Sequence, residues 1–134
     1  MASIFTRIVR GEIPAYKVAE TDQFLAFLDV NPLVTGHTLV IPKQEVDYLF
    51  DLDQETYTGL MQFAKQVAAG VRKAIPCIRV GVAVIGLEVP HAHIHLVPLN
   101  AMSDINFSNP KLKLSPEVME ATCRQIQVAI STRF

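Results

Sequence analysis

The alternation of hydrophobic and polar residues along the chain predicts an α+β fold. Residues 16–20 and 24–29 are rich in β-forming side chains and are separated by a short polar turn, so they predict a hairpin. Further apolar runs predict strands at residues 37–42, 78–85 and 91–99. The sequence therefore predicts about five strands, of which we expect the last two to be antiparallel neighbours.

Three segments carry the periodicity of helices. Ser3 is a possible N-cap of a short helix that ends at Gly11. Behind the possible cap Asp53, apolar side chains recur at helical spacing over residues 54–74 and predict a long helix. A Ser-Pro pair at residues 115–116 begins a final helix. The residues of this last helix that we expect to face inward are Val118, Met119, Cys123, Ile126 and Ile130.

Composition narrows the class of protein. The chain has 134 residues, 50% of them hydrophobic, and no low-complexity run, which predicts a single domain over residues 1–134. The net charge is −1 and the basic residues are scattered, so nucleic acid is not an expected partner. No apolar segment approaches the roughly 20 residues that span a bilayer, and the N-terminus lacks the apolar core of a signal peptide. We therefore expect a cytoplasmic protein without a membrane partner.

Three of the four histidines occupy alternate positions in the sequence HAHIHLV. Because a strand sends every second side chain to the same face, His91, His93 and His95 would form a row with about 7 Å between neighbours. Such a row could be a half-buried packing face, a metal site completed by His37, or a catalytic cluster with one nucleophilic imidazole. Burial of three rings without partners is costly, and Glu88 is the one acidic residue near the motif.

The motif HAHIHLV resembles the signature of the histidine triad (HIT) family, His-φ-His-φ-His-φ-φ with φ apolar, and matches it at every position. Three further segments, IFTRIVRGEIPAYKV, LAFLDVNP and TGHTLVIPK, are similar to the family's N-terminal helix, ribose-contact strand and second histidine strand. The resemblance covers nearly the whole chain and is to the Hint-like bacterial branch. It implies a five-stranded antiparallel sheet with a short N-terminal helix, a long helix and a C-terminal helix.

The family breaks a bond to the α-phosphorus of a nucleotide through a covalent nucleotidyl-histidine intermediate. The resemblance makes His93 the nucleophile, and a neutral imidazole nitrogen is suited to that role near pH 7. Its other ring nitrogen would donate to a backbone carbonyl of the motif. His95 would place a donor beside the phosphate or the leaving group, while His91 and His37 would support the cluster from behind. We expect mutual repulsion to keep some of these rings neutral.

The resemblance also assigns the nucleoside end of the site. A carboxylate at the end of a strand can accept two hydrogen bonds from vicinal ribose hydroxyls, and Asp29 is at the matching position, with a turn acid as the alternative. The positions that match those around the base are Phe5, Ile8, Ile13, Phe27 and Val30. Core packing is the alternative for each of them. We expect a purine nucleotide as the bound small molecule.

The segment before the triad departs from the Hint pattern. Relatives carry an Asn and a Gly-Gln-Ser/Thr segment that contact phosphate, whereas this chain has the shorter sequence AVIGLEVPH, with Ala83 near the Asn position and Glu88 in place of the hydroxyl. Gly86 and Glu88 remain expected substrate contacts. A carboxylate beside a phosphate is repulsive unless it is protonated or turned away, so the preferred leaving group stays open.

A second departure concerns metal. Many bacterial relatives bind structural zinc through an N-terminal CxxC and a histidine shortly after IPK. This chain has Thr6 at one of the cysteine positions and Gln44, Glu45 and Val46 after IPK. We therefore predict no structural zinc, no catalytic metal and no cofactor.

These features together predict a nucleotide hydrolase or nucleotidyl transferase that cleaves nucleoside phosphoramidates or adenylyl compounds. The alternatives are a dinucleoside polyphosphate hydrolase and a non-catalytic nucleotide-binding regulatory protein. We also expect a homodimer, because exposed sheet edges need cover and the long helix carries apolar residues, Met61 and Ala68, beside its main stripe. The polar segment 101–113 is expected near the site.

Overall fold

The computed structural model describes residues 1–131, and residues 132–134, the end of the predicted domain, lie outside the described residues. One antiparallel sheet contains five strands in the order β1-β2-β3-β5-β4. The strands are β1 Lys17–Glu20, β2 Phe24–Leu28, β3 Thr38–Pro42, β4 Arg79–Ala83 and β5 Ile94–Leu99. The α-helices are α1 Ile4–Val9, α2 Gln54–Ala74 and α3 Pro116–Ser131. The predicted α+β architecture is confirmed.

The helices begin where the sequence places their caps. The side chain of Ser3 accepts a hydrogen bond from the backbone N–H of Thr6 at 3.0 Å, and that of Asp53 accepts one from Thr56 at 3.1 Å. Each such bond satisfies a backbone donor that the first helical turn leaves free, a contribution of about 1 kcal/mol. After α1, Gly11 has φ +78°, a left-handed conformation that favours glycine.

The sheet separates two apolar layers. One face packs against α2 and α3, and its core includes Leu60 and Ile126 from these helices. The opposite face is covered by α1 and carries a smaller buried cluster, consisting of Phe5, Ile8, Leu25, Phe27, Leu39 and Ile41. Successive side chains of a strand alternate between faces, so His95, between the core residues Ile94 and Leu96, points to the α1 side. The histidine chemistry therefore lies on the face that α1 covers.

The strand predicted over residues 91–99 begins three residues later than expected, at Ile94, so His95 is the only triad histidine within it. Backbone hydrogen bonds draw the preceding residues out of the ladder, since the N–H of His91 donates to Val89 and that of Ala92 donates to Val46. The prediction of three histidines in a row on one strand was therefore wrong. The strand predicted at 78–85 is also shorter, because its register pairs Ala83 with His95 and residues 84 and 85 lie beyond the ladder.

The C-terminal helix α3 differs from the prediction in the burial of one residue. Met119, Cys123, Ile126 and Ile130 are buried as predicted, but Val118 is 43% exposed. The buried stripe advances by three or four residues at each step, and Val118 is a single residue, about 100° around the helix, from Met119. The prediction that Val118 faces inward was therefore wrong.

Two short 3-10 helices, Leu49–Asp51 and Met102–Ile105, were not predicted. Each follows a strand along the chain, and both matter for the surroundings of the histidines. Among the residues that the structure describes, no helix is both long and apolar enough to cross a membrane.

Candidate active site

The backbone holds the ring of His93 in one orientation. Nδ1 of His93 lies 2.7 Å from the carbonyl oxygen of His91. A carbonyl can only accept, so Nδ1 carries the hydrogen of the neutral ring and Nε2 keeps its lone pair. The ring also meets Phe5 edge to face, with 5.0 Å between ring centroids. His93 is thus arranged to act as a nucleophile through Nε2.

A chain of hydrogen bonds settles the tautomers of His37 and His95. The backbone N–H of Leu33 donates to Nδ1 of His37 at 3.0 Å, so the ring hydrogen of neutral His37 is on Nε2. This Nε2 lies 3.0 Å from Nδ1 of His95 and donates to it. His95 therefore carries its own hydrogen on Nε2, away from His37. The centroid of the His95 ring is 4.9 Å from that of the His93 ring, so the two rings are in contact.

Both of these rings are neutral near pH 7. Burial lowers the pKa of His37 to about 3, and repulsion from His95 acts in the same direction. Burial also lowers the pKa of His95 to about 4, assisted by repulsion from His93. Repulsion between the rings was predicted to keep them neutral, but their removal from water is the larger cause.

His91 is held by side chains from another part of the fold. Its ring is fully buried, and its Nε2 donates to the carbonyl oxygen of Pro42 at 2.7 Å, so its Nδ1 accepts from the hydroxyl of Ser3 at 2.8 Å. Thr6 donates to Oε1 of Glu45 at 2.6 Å, and the backbone N–H of Ser3 donates to the same oxygen at 2.7 Å. These bonds link His91 to β3 and to the start of α1, and its supporting role stays a prediction.

His91 and Glu45 are the titratable groups of this network, and both have shifted pKa values. Burial lowers the pKa of His91, while its bond to Pro42 and the nearby charge of Glu45 oppose that shift. The hydrogen bonds from Ser3 and Thr6 lower the pKa of Glu45 to about 2, so this carboxylate is ionised at neutral pH. The sequence marks Ser3 as a helix cap but contains no signal that it contacts a histidine 88 residues away.

Asp29 follows β2 and faces His37. Its backbone N–H donates to the carbonyl oxygen of His37, and its Oδ1 accepts from the backbone N–H of Asn31 at 2.9 Å. Burial raises the pKa of Asp29, and the bond from Asn31 acts against this rise. Oδ2 lies 3.7 Å from Nε2 of His37 and is available to a ligand. Asp29 therefore stabilises its own turn and can also accept hydrogen bonds from ribose.

Asp29, His37 and His95 also form the one group, among the residues described, whose possible ligand atoms are close enough for a metal ion, all within 4.8 Å of one another. The tautomer of His37 disfavours metal binding by this group. Nε2 of His37 carries a hydrogen, and to free this nitrogen the hydrogen would have to move to Nδ1, which already accepts from Leu33. Two donors would then face each other. The arrangement favours a hydrogen-bonded cluster.

The predicted apolar contacts fall into two groups. Phe5, Ile8 and Phe27 are buried in the cluster on the α1 face, with Ile13 packed against it. The rings of Phe5 and Phe27 meet edge to face at 5.5 Å. Val30, in contrast, is 59% exposed and does not belong to this cluster. The structure thus places Phe5 beside His93, with Phe27 packed against Phe5, and leaves Val30 at the surface.

Gly86 and Glu88, the two substrate contacts predicted before the triad, differ in their surroundings. Gly86 has φ +72° and lines a cleft together with His93, whereas Glu88 is exposed. The polar segment 101–113 reaches the site as expected, because the ring of Phe107 lies 4.8 Å from that of His95. Phe107 was not among the predicted site residues, although it is the one aromatic residue of this segment.

Sequence comparisons identify relatives of this chain. Residues 10–102 match the HIT domain family. An uncharacterized HIT-like protein of Borreliella burgdorferi is 34% identical over 95% of this chain and 97% of its own length. Adenosine 5'-monophosphoramidase hnt1 of Schizosaccharomyces pombe is 32% identical over 97% of this chain and 99% of its own length.

A solved structure shares the fold. The crystal structure of a Hit-like protein involved in cell-cycle regulation from Bartonella henselae superposes with a TM-score of 0.82. The two sequences are 30% identical, and the superposition covers 95% of this chain and 95% of the other. The sheet order and the helices described above therefore occur in an experimentally determined relative.

Proposed function

Because the chain belongs to the HIT domain family, we propose that it is a nucleotide hydrolase or nucleotidyl transferase that cleaves a bond to the α-phosphorus of a nucleotide. The observation that carries the proposal is the hydrogen bond from Nδ1 of His93 to the carbonyl of His91, which leaves Nε2 free to attack. The similarity to an adenosine 5'-monophosphoramidase supports nucleoside phosphoramidates as substrates.

The first step forms a bond between Nε2 of His93 and the α-phosphorus. The bond from phosphorus to the leaving atom breaks, and its electron pair stays on that atom. In a phosphoramidate, the nitrogen is protonated from solvent and departs as the neutral amine. The positive charge that develops on the His93 ring is stabilised because its Nδ1–H remains bonded to the carbonyl of His91.

The second step regenerates the enzyme. Water attacks the phosphorus, loses a proton to solvent, and releases the nucleotide from Nε2 of His93; another nucleophile in place of water gives transfer. His95 is neutral near pH 7, because burial lowers its pKa to about 4. It therefore donates a hydrogen bond to a phosphate oxygen and is not the proton source. His37 orients it through the 3.0 Å bond to Nδ1.

The nucleoside is bound at the other end of the site. Asp29 accepts hydrogen bonds from the ribose hydroxyls, and the aromatic pair Phe5 and Phe27 lies beside the nucleophile. The remaining apolar contacts that we propose for the base are Ile8, Ile13 and Val30. A purine offers these residues the larger apolar face, which is the basis of the proposed purine preference.

A single-turnover experiment tests the covalent mechanism. An adenosine 5'-phosphoramidate labelled at the α-phosphorus should transfer label to the protein, and His93→Gly should bind the nucleotide without accepting label. Turnover should continue in EDTA, because a histidine nucleophile needs no metal. Binding without label in the parent protein would instead indicate a regulatory nucleotide-binding protein, and comparable turnover in His93→Gly would exclude the intermediate.

We also propose a homodimer. β4 is an edge strand of the sheet, and its Val82 is exposed, as is Ile78 just before it. Unpaired strand edges with apolar side chains are commonly covered by a second chain. Sedimentation equilibrium at micromolar concentration should give twice the monomer mass of 14.8 kDa, and the monomer mass would refute the dimer.

A further inference from the structure

The cleft that Gly86 and His93 line together has a volume of about 500 Å³. Three aromatic side chains line it, those of Tyr48, Phe50 and Tyr57, together with residues 84–87. Residues 84–87 belong to the shortened segment before the triad, where the chain departs from its relatives. The proposed function does not use this cleft.

The aromatic side chains are held in place by their neighbours in the 3-10 helix Leu49–Asp51. Leu49 is 5% exposed and anchors the helix in the core, while Phe50 beside it is 66% exposed. The ring of Phe50 lies 5.5 Å from that of Tyr48 and 6.1 Å from that of Tyr57. Large apolar side chains grouped at the surface next to a nucleophile are typical of a ligand-binding site.

This cleft is separate from the proposed nucleoside end. Phe5, Phe27 and Asp29 do not line it, whereas His93 contacts Phe5 and also lines the cleft. A phosphorus atom bound at Nε2 of His93 carries the nucleoside on one side and the leaving group on another. The cleft is thus a region beside His93, apart from the proposed nucleoside end, that offers space for the leaving group.

The charge of the cleft limits what that leaving group can be. Among the described residues, its lining contains the carboxylate of Asp47 and no lysine or arginine. A polyphosphate would meet no positive charge there. An amine is compatible with the carboxylate, and an aromatic ring on it could stack on Phe50 and its neighbours.

We propose that this cleft binds the leaving group, and that the preferred substrate is a nucleoside phosphoramidate of an alkyl amine that carries an aromatic ring. The inference rests on the proposed function. In the reaction, the bond between phosphorus and the amine nitrogen breaks, its electron pair stays on nitrogen, and the amine, protonated from solvent before it departs, leaves neutral. The bond from phosphorus to Nε2 of His93 forms in the same step.

The test compares leaving groups on one nucleotide. The value of kcat/KM is measured for adenosine 5'-phosphoramidate, for its N-(2-phenylethyl) derivative and for diadenosine triphosphate. We expect the phenylethyl compound to be preferred about tenfold over the unsubstituted one, the scale of partial burial of an aromatic ring, and diadenosine triphosphate to be the poorest. Equal values for the two phosphoramidates, or preference for diadenosine triphosphate, would overturn the inference.

Two variants test whether the cleft causes the preference for the phenylethyl compound. Phe50→Ala should reduce the preference for the phenylethyl compound to near unity, and Val118→Ala, which removes an exposed apolar side chain from α3, should retain it. Labelling of His93 by all substrates at equal rates would overturn the leaving-group site alone, whereas no labelling by any of them would overturn the proposed function. If Phe50→Ala turns a dimer into a monomer and keeps the preference, the cleft is a contact between two copies and the inference fails.

Discussion

The two flanks of His93 are built differently. His91 is bonded to the backbone carbonyl of Pro42 and to Ser3, and its own carbonyl oxygen accepts a hydrogen bond from Nδ1 of His93. His95 is bonded to His37 and carries its ring hydrogen on Nε2. In the proposed mechanism, the first flank positions the nucleophile and the second donates a hydrogen bond to the phosphate. The difference shows that neighbouring histidines of one motif can have separate tasks because different parts of the fold bond to them.

Loss of the donor on the His95 flank should have the largest effect. We expect His95→Phe to lower kcat by about 10²- to 10³-fold, the scale measured for a single donor to a developing anion. His95→Gln keeps an N–H and is the matched variant, which should retain more activity. Steady-state kinetics on adenosine 5'-phosphoramidate measure both. Equal loss in the two variants would show that the ring packing of His95 matters and its donor does not.

The same flank should make the protein sensitive to acid. Burial lowers the pKa of His37 to about 3 and that of His95 to about 4, from the ordinary value of 6.5. Between pH 6.5 and 4 the unfolded chain therefore binds protons that the folded chain does not. The free energy of unfolding should fall as the pH falls from 7 to 5, by about 2 kcal/mol per histidine.

Urea unfolding at pH 7, 6 and 5 measures this dependence. His95→Phe removes one of the two groups, so its unfolding free energy should change less over the same range. If the parent and the variant have the same pH dependence, the His95 ring is not neutral and buried in the way described.

On the His91 flank, Ser3→Ala should weaken both stability and turnover. It removes the helix cap and leaves Nδ1 of the buried His91 without its donor, at a cost of about 1 to 3 kcal/mol. We expect kcat to fall about tenfold, as the carbonyl that holds His93 is displaced. The matched variant is Asp53→Ala, which removes the cap of α2 away from the histidines. Asp53→Ala should lower the stability and leave kcat unchanged. A similar loss of kcat in the two variants would show that Ser3 acts only as a helix cap.

The smallest expected effect is at the ribose. Asp29→Asn should weaken ribonucleotide binding by about 1 to 2 kcal/mol, the scale of a lost charge-assisted hydrogen bond. A 2'-deoxy nucleotide should show a similar loss with the parent and little further loss with the variant. Isothermal titration measures both. Unchanged affinity in Asp29→Asn would leave this residue with its turn bond to Asn31 alone.

Local sequence determined the α-helices of this protein and marked the candidate residues of its site. α2 spans the predicted residues 54–74, because its cap and its apolar spacing depend on residues a few positions apart. The motif HAHIHLV likewise marked three of the histidines, and the resemblance marked Asp29 as a candidate ribose contact. Each of these features depends on near neighbours, which the sequence displays directly.

The tertiary structure decided how His91 and His95 are bonded, because their side-chain partners are distant in sequence. Ser3 lies 88 residues from His91, and His37 lies 58 residues from His95. The break before β5 has the same origin, since Val46 draws Ala92 out of the ladder. No local pattern encodes these contacts. They form only when α1, β3 and β5 pack together, and they set the tautomers of His91 and His95, whereas the bond that orients His93 lies within the motif.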